Sequence, residues 1–168
     1  MKRIWIAGSS GSGKTTLANY MSKKLGIPAY HRDSITWDEN DDERSEEEQI
    51  SVVKAITVND KWIFEGARFN ASKIDGRLDK CDTIIHLNLN RFLCTYRGIK
   101  RGYLQAKRFD LADKDRQPFS INLITYTLLD YPRKRKQRNE IFEIARRRGI
   151  DVIILKNRRS VKMFCDKI

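Results

Sequence analysis

No apolar run among the 168 residues approaches the roughly 18–20 that a membrane-spanning helix needs. A glycine-rich loop begins at Gly8, before the apolar core of a secretory signal has room to form. The chain is therefore expected to be soluble, cytoplasmic and without a membrane partner. Cysteine is scarce: Cys81, Cys94 and Cys165 are odd in number and lack paired-ligand spacing, so neither a disulfide framework nor a zinc site is indicated. With only 9 Gly and 3 Pro the composition is neither collagenous nor disordered, and no repeat or low-complexity linker divides the chain. The length and the 40% hydrophobic content suit a single domain, residues 1–168, with a sizeable core.

Positive charge, by contrast, is in excess: 34 Lys and Arg against 22 Asp and Glu, a formal net +12. The excess belongs to one half. Residues 1–90 carry 13 basic and 14 acidic side chains, whereas residues 91–168 carry 21 and 8. Within the first half, Asp38 to Glu48 sets eight carboxylates against Arg44 alone, which reads as a solvated loop running into a helix.

Lys2 to Ala7 is a short β-type run stopped by Gly8, and Leu17, Ala18, Met21 and Leu25 then give Lys14 to Leu25 a helical apolar face. Gly26 and Pro28 end that helix, leaving Pro28 to His31 as a second strand. Ser45 and Glu48 form a capping box before a helix with Ile50, Val53 and Ile56 on one face, ending near Asn59. Trp62 to Phe64, Thr83 to Leu89 and Asp151 to Leu155 supply three more strands, the last preceded by a helix that Gly149 can cap. Short apolar strands separated by helices predict a three-layer α/β/α architecture, a parallel sheet covered on both faces. Between the last two strands lie three expected helices, from about Arg91, Pro118 and Pro132, interrupted by a polar stretch. That stretch, about residues 102–117, is a candidate lid. A final helix is expected over Ser160 to Lys167.

Gly8-Ser9-Ser10-Gly11-Ser12-Gly13-Lys14-Thr15 matches G-x-x-x-x-G-K-S/T, the phosphate loop of nucleotide-binding proteins, and it lies between the first strand and the first helix as the mechanism requires. Glycines let the backbone curl so that successive N–H groups face phosphate oxygens, and the helix N-terminus adds favourable partial charge. Gly8, Ser9, Ser10, Gly11, Ser12, Gly13, Lys14, Thr15 and Thr16 are the expected ATP contacts. Lys14 reaches the β- and γ-phosphates, and Thr15 offers its hydroxyl oxygen to Mg²⁺. A switch GTPase needs a base-selective Asn-Lys-x-Asp segment; Asn59-Asp60-Lys61 does not supply it.

The order of further segments carries a resemblance. Ile27-Pro28-Ala29-Tyr30-His31-Arg32-Asp33, Trp37, Trp62-Ile63-Phe64-Glu65-Gly66, Cys81 to Leu87, Arg91, Arg97, Tyr131-Pro132-Arg133 and Arg158-Arg159-Ser160-Val161 follow the phosphate loop. Over nearly its whole length the chain resembles the P-loop nucleoside monophosphate kinase superfamily, and within it bacterial adenylate-kinase-related proteins associated with DNA topology modulation. The resemblance implies a five-stranded parallel sheet of order 2-3-1-4-5 and transfer of the γ-phosphoryl group of Mg·ATP to a small acceptor, most simply a nucleotide or nucleoside. It places the acceptor around residues 31–60. It also puts Asn157 and Arg158, after the last strand, against the adenine. Adenylate kinases carry Asp-Gly-Phe-Pro-Arg where this chain has Glu65-Gly66-Ala67-Arg68-Phe69, with the arginine one residue early.

The remaining candidates have two readings each. Asp33 either orients or deprotonates an acceptor hydroxyl or caps the next turn. Glu65 either faces the acceptor and a water-bound Mg²⁺ or pairs with Arg68, itself a candidate acceptor contact. Trp37 either stacks on an acceptor ring or fills the core edge. Arg97 and Arg101, four apart beside Lys100, either gather around the transferring phosphoryl group or form a solvated face. Arg133, in a dense basic run, is either an acceptor contact or solvated. His86, inside an apolar strand, is expected to be a satisfied core histidine. The main partner expected is a small-molecule acceptor, with the protein a monomer or homodimer. The basic second half leaves a nucleic-acid-associated ATPase as the alternative, without any helix-turn-helix, zinc-finger or RNA-recognition signature.

Overall fold

The five strands form one wholly parallel sheet in the order β2-β3-β1-β4-β5. They are β1 (Arg3–Gly8), β2 (Ala29–His31), β3 (Trp62–Glu65), β4 (Thr83–Leu87) and β5 (Asp151–Leu155). This computed structural model describes residues 1–38, 40, 42–106 and 121–168. Its architecture is the three-layer α/β/α arrangement read from the sequence. Strand β1 lies at the centre, with Ile6 opposite Glu65 of β3 and Ile85 of β4.

Alternation along β1 sorts the core into two layers. Ile4 and Ile6 face Leu17, Ala18 and Met21 of α1 (Lys14–Leu25), with Val161 and Phe164 of α9 (Arg158–Lys167) packed beside them. Trp5 and Ala7 face the other way, toward Val53 and Ile56 of α3 (Glu46–Thr57) and Ile141, Phe142 and Ala145 of α8 (Arg135–Arg147). Because both faces are covered, β1, β3 and β4 are apolar almost throughout, as a buried parallel sheet requires.

Local chemistry fixes the element ends. Gly26 caps α1 at φ 65°, and its N–H donates to the Ser22 carbonyl. The Ser45–Glu48 capping box opens α3 with both reciprocal bonds in place. Arg44, the one cation of the acidic stretch, donates to the carbonyls of Ser34, Ile35 and Trp37, and the Asp38 carboxylate takes the N–H groups of Asn40 and Asp42. A Trp37–Glu43 bridge closes this turn, in which Asp38 and Arg44 bond nearby backbone groups.

Three features differ from the sequence reading. Two short helices, α2 (Arg32–Thr36) and α4 (Arg77–Lys80), were not expected. After α5 (Arg91–Ala106), the helices α6 (Ile121–Thr125) and α7 (Tyr131–Arg133) are joined by a π-helical turn at Tyr126–Asp130, and α8 follows after Lys134 alone. The candidate lid of 102–117 enters the described residues only as the last turn of α5; the rest lies outside them.

The third difference is a buried ion pair. Arg77, with no exposed surface, donates from Nε and Nη2 to Asp75 Oδ2 at 2.9 and 2.6 Å and from Nη2 to the Arg68 carbonyl at 2.9 Å. Its guanidinium lies 4.9 and 4.6 Å from the Trp5 and Phe64 ring centres. The pair anchors the loop after β3 to the sheet.

His86 is a core histidine, as expected, but only half satisfied: Nε2 lies 2.9 Å from the Tyr131 hydroxyl and the ring packs on Phe142, whereas buried Nδ1 has no hydrogen-bond partner among the described residues. Burial, assisted by the Arg138 charge, pushes its pKa down to about 3. The unfolded imidazole titrates near 6.5 and so binds protons that the folded one refuses; stability is full above that value and falls as pH drops toward 3. Between pH 7 and pH 5 the loss from this group is about 2 kcal/mol. Urea titrations at the two pH values should record that loss in wild type and a much smaller one in His86→Gln; equal losses would contradict it.

Between β1 and α1 the chain turns at Gly11 (φ 71°) and Gly13 (φ 92°). A Cβ at Gly11 would lie 2.1 Å from the Cys94 carbonyl oxygen of α5, whereas one at Gly13 meets nothing within 4 Å. Both alanine substitutions incur left-handed strain of about 1 kcal/mol, but only Gly11→Ala adds a backbone clash of roughly 1–3 kcal/mol. Urea unfolding should rank Gly11→Ala as the more damaging; equal destabilisation would mean the loop does not rest on α5.

Candidate functional site

The carboxyl ends of β1, β2 and β3 open together into a cleft of about 1370 Å³. Its floor is the glycine loop. Helix α1 has Gly13 as its N-cap, with no side-chain cap and no acidic residue in its first turn, so its leading N–H groups have no internal competitor. Lys14 folds back over the loop and donates from Nζ to the Ser9 carbonyl at 3.0 Å. Burial lowers the Lys14 pKa, Glu65 and Asp33 work against that shift, and Arg101 adds to it. The ammonium thus sits among both signs of charge at the mouth of the loop.

Beside it, the Thr15 hydroxyl donates to Glu65 Oε1 at 3.3 Å. Glu65 is 4% exposed, yet its Oε2 has no hydrogen-bond partner among the described residues. His31 Nδ1 lies 3.7 Å from Oε1, is also unpartnered, and follows from the sheet register that sets His31 opposite Glu65. Ser12 Oγ is a third buried orphan in the same region. Buried polar atoms without a protein partner, set around a loop of N–H donors, fit a hydrated cation and an anion. A threonine hydroxyl and a carboxylate oxygen are hard donors suited to Mg²⁺. No group of three or more His, Cys, Asp or Glu that could hold a metal ion gathers among the described residues.

The cleft brings together most of the residues singled out from the sequence. Gly8, Ser10, Gly11, Ser12, Gly13, Lys14, Thr15 and Thr16 line it, together with Asp33, Trp37, Glu65, Arg97, Arg101 and Arg158. Ser9 is buried beneath, offering its carbonyl to Lys14. Asp33 is exposed on α2, which has no side-chain cap, so its carboxylate is open to the cleft and is not spent on the turn. Trp37 is 47% exposed at the cleft wall, and so does not fill the core edge. Glu65 bonds Thr15, where pairing with Arg68 was the other reading.

Three expected contacts lie elsewhere. Asn157 spends its side chain capping α9, with Oδ1 accepting from the Ser160 N–H at 2.8 Å, and is off the cleft wall. Arg133 has its side chain 74% exposed and pairs with Asp130 one helical turn away. Arg68 stands behind the wall, its Nη1 3.2 Å from the Gln49 side-chain oxygen. Sequence reasoning in turn missed Tyr20, Arg32, Tyr126, Val161 and Cys165, which line the cleft. Three of these follow from spacing: Tyr20 stands one turn after Thr16, and Val161 and Cys165 recur three and seven residues after Arg158 along one face of α9.

No family model matches the chain, and no curated protein matches it. Solved structures do. A shikimate kinase from Acinetobacter baumannii, determined in complex with shikimate, superposes with a TM-score of 0.61 at 17% identity, over 99% of this chain and 90% of that one. A shikimate kinase from Bacteroides thetaiotaomicron gives 0.56 at 13% identity, over 99% and 95%. A sugar kinase from a Janibacter species gives 0.56 at 14%, over 99% and 91%. The chain has the fold of P-loop kinases.

Proposed function

We propose that the protein is an ATP-dependent phosphotransferase that moves the γ-phosphoryl group of Mg·ATP to a hydroxyl or phosphate oxygen of a small acceptor. The observation that carries this reading is the left-handed glycine loop closing on Lys14, with the Thr15–Glu65 pair at its mouth and Asp33, Arg97 and Arg101 across one cleft. The solved neighbours, kinases of shikimate and of a sugar, support a small acceptor. The resemblance to adenylate-kinase-related proteins favours a nucleotide or nucleoside among such acceptors.

In this reading the loop N–H groups and Lys14 hold the β- and γ-phosphates, while Arg158 and the α9 face bound the adenine side. Thr15, with Glu65 acting through water, would hold Mg²⁺, which supplies neutralising charge on the phosphates when bound. Where the acceptor is a hydroxyl, Asp33 orients it and takes its proton as the acceptor oxygen bonds the γ-phosphorus; an ionised phosphate oxygen makes the same bond with no proton to lose. The bond from that phosphorus to the β–γ bridging oxygen breaks, and ADP leaves with the electron pair. Arg97 and Arg101 stabilise the charge spread over the transferring group.

The second reading, a nucleic-acid-associated ATPase, draws on the exposed cations Arg133, Arg135, Arg146, Arg147 and Arg148. It requires DNA affinity that falls about 10³- to 10⁵-fold between 50 and 200 mM salt. The kinase reading is tested by transfer of labelled γ-phosphate across nucleoside monophosphates, nucleosides, sugars and hydroxy acids. One labelled product is expected, formed at least ~10²-fold more slowly by folded Lys14→Ala. Transfer at the wild-type rate by Lys14→Ala, or ATP binding with no acceptor labelled, would overturn it.

A further inference from the structure

The π-helical turn after α6 has a cause in the sequence, and the cause is a proline. Pro132 has no N–H, so the Leu128 carbonyl four residues back lacks an α-helical donor, and the proline ring crowds that carbonyl as well. Arg91 of α5 takes it instead, donating from Nη1 at 3.3 Å. The Tyr131 N–H reaches back to the Tyr126 carbonyl, five residues away, which is the bond of a π turn. In a regular α-helix side chains five apart project about 140° from one another. Here the rings of Tyr126 and Tyr131 meet instead, with 6.0 Å between their centres.

Tyr131 is itself pinned. Its hydroxyl lies 2.9 Å from His86 Nε2, its carbonyl accepts from Arg138 Nη1 at 3.0 Å, and the Arg138 guanidinium lies 4.4 Å from its ring centre. Tyr126 leans on that ring, with Lys134 Nζ 5.8 Å from its own ring centre. Packing therefore sets the Tyr126 ring in the cleft wall, while its hydroxyl has no hydrogen-bond partner among the described residues. Asn122, one helical turn earlier, lines the same cleft, and its amide is likewise unbonded among the described residues. Burial pushes the Tyr126 pKa up and keeps the phenol neutral; the charges of Arg138, Asp130 and Arg32 act less strongly. Arg32 immediately precedes Asp33, so the hydroxyl stands on the acceptor side of the cleft. A held phenol with a free hydroxyl is a preorganised hydrogen-bonding group, and binding to it costs little further ordering.

We infer that Tyr126 is a specificity-determining residue whose hydroxyl, with the Asn122 amide beside it, hydrogen-bonds a hydroxyl group on a sugar ring of the acceptor. A neutral phenol and a neutral amide each donate and accept, which matches a hydroxyl, whereas an anionic group draws cations. The sugar ring is either the ribose of a nucleotide or a free sugar. The inference rests on the kinase reading for the role of the bound molecule as acceptor, but binding has its own readout. Tyr131 and Pro132 are positioning residues: one supports the Tyr126 ring and the other makes the turn that brings the two rings together.

The test is calorimetric titration into the full chain, with the phosphate loop saturated by a non-hydrolysable Mg·ATP analogue. The probes are the four common ribonucleoside monophosphates, ribose and glucose, each beside its deoxy counterparts. Wild type should bind at least one probe, and whether that is a nucleotide or a free sugar identifies the source of the ring. Tyr126→Phe keeps the ring packing and removes one oxygen; it should bind the same probe about five- to tenfold more weakly, with ATP affinity and urea midpoint unchanged. One deoxy counterpart should bind wild type and Tyr126→Phe alike, because the hydroxyl that Tyr126 meets is already gone. No probe bound by wild type, equal affinity of wild type and Tyr126→Phe for every probe, or the same loss for all deoxy counterparts would overturn the inference. A probe that binds with this dependence on Tyr126 yet receives no phosphate from Mg·ATP would keep the contact and remove the kinase reading.

Discussion

A carboxylate buried at the end of β3 is the constraint around which the cleft is arranged. Glu65 is nearly sealed from water, and an ionised carboxylate in that position is costly unless neighbours answer it. The sheet supplies the neighbours by register: Ile6 opposite Glu65 brings the end of β1, and with it the glycine loop, to one side, while His31 opposite Glu65 brings the end of β2 to the other. Thr15 then reaches one oxygen from the first turn of α1, and the Lys14 ammonium feels the charge. Among the described residues the second oxygen remains unmatched, at the place where chemistry with a cation and phosphate is read.

A parallel sheet makes this arrangement possible because all five strands end on one edge, and β1, with a neighbour on each side, sits at the middle of it. Apolar packing on both faces stabilises the sheet without using polar groups, so polar residues at the strand ends are free for function. Glu65 and the left-handed loop glycines illustrate this, whereas Asp75 and Arg77 are the opposite case, a polar pair spent on holding the loop after β3.

Elements defined by nearest-neighbour chemistry were legible in the sequence. The bounds of α1 follow from Gly13 and Gly26, the start of α3 from Ser45 and Glu48, and β5 from an isolated apolar run. The phosphate loop was legible because its spacing is itself the mechanism. Strand order was not readable from periodicity, which is silent about pairing; it came with the family resemblance. Residues with competing local uses were the hardest to place: Asn157 is consumed by a helix cap and Arg133 by Asp130, both within a few residues in sequence. Arg77 carried no signal in the sequence, because only the tertiary approach of Trp5 and Phe64 makes it a buried cation.

The central claim is that Glu65, through Thr15, prepares the loop for a nucleotide that arrives with a divalent cation. Its most direct measurement is the affinity for ATP with and without Mg²⁺ in wild type and in Glu65→Gln. The account predicts that Mg²⁺ tightens ATP binding to wild type, that Glu65→Gln loses about 10- to 100-fold of the cation-dependent part, and that cation-free ATP binding is preserved. ATP binding indifferent to Mg²⁺ in wild type, or the same Mg²⁺ dependence in Glu65→Gln, would contradict it.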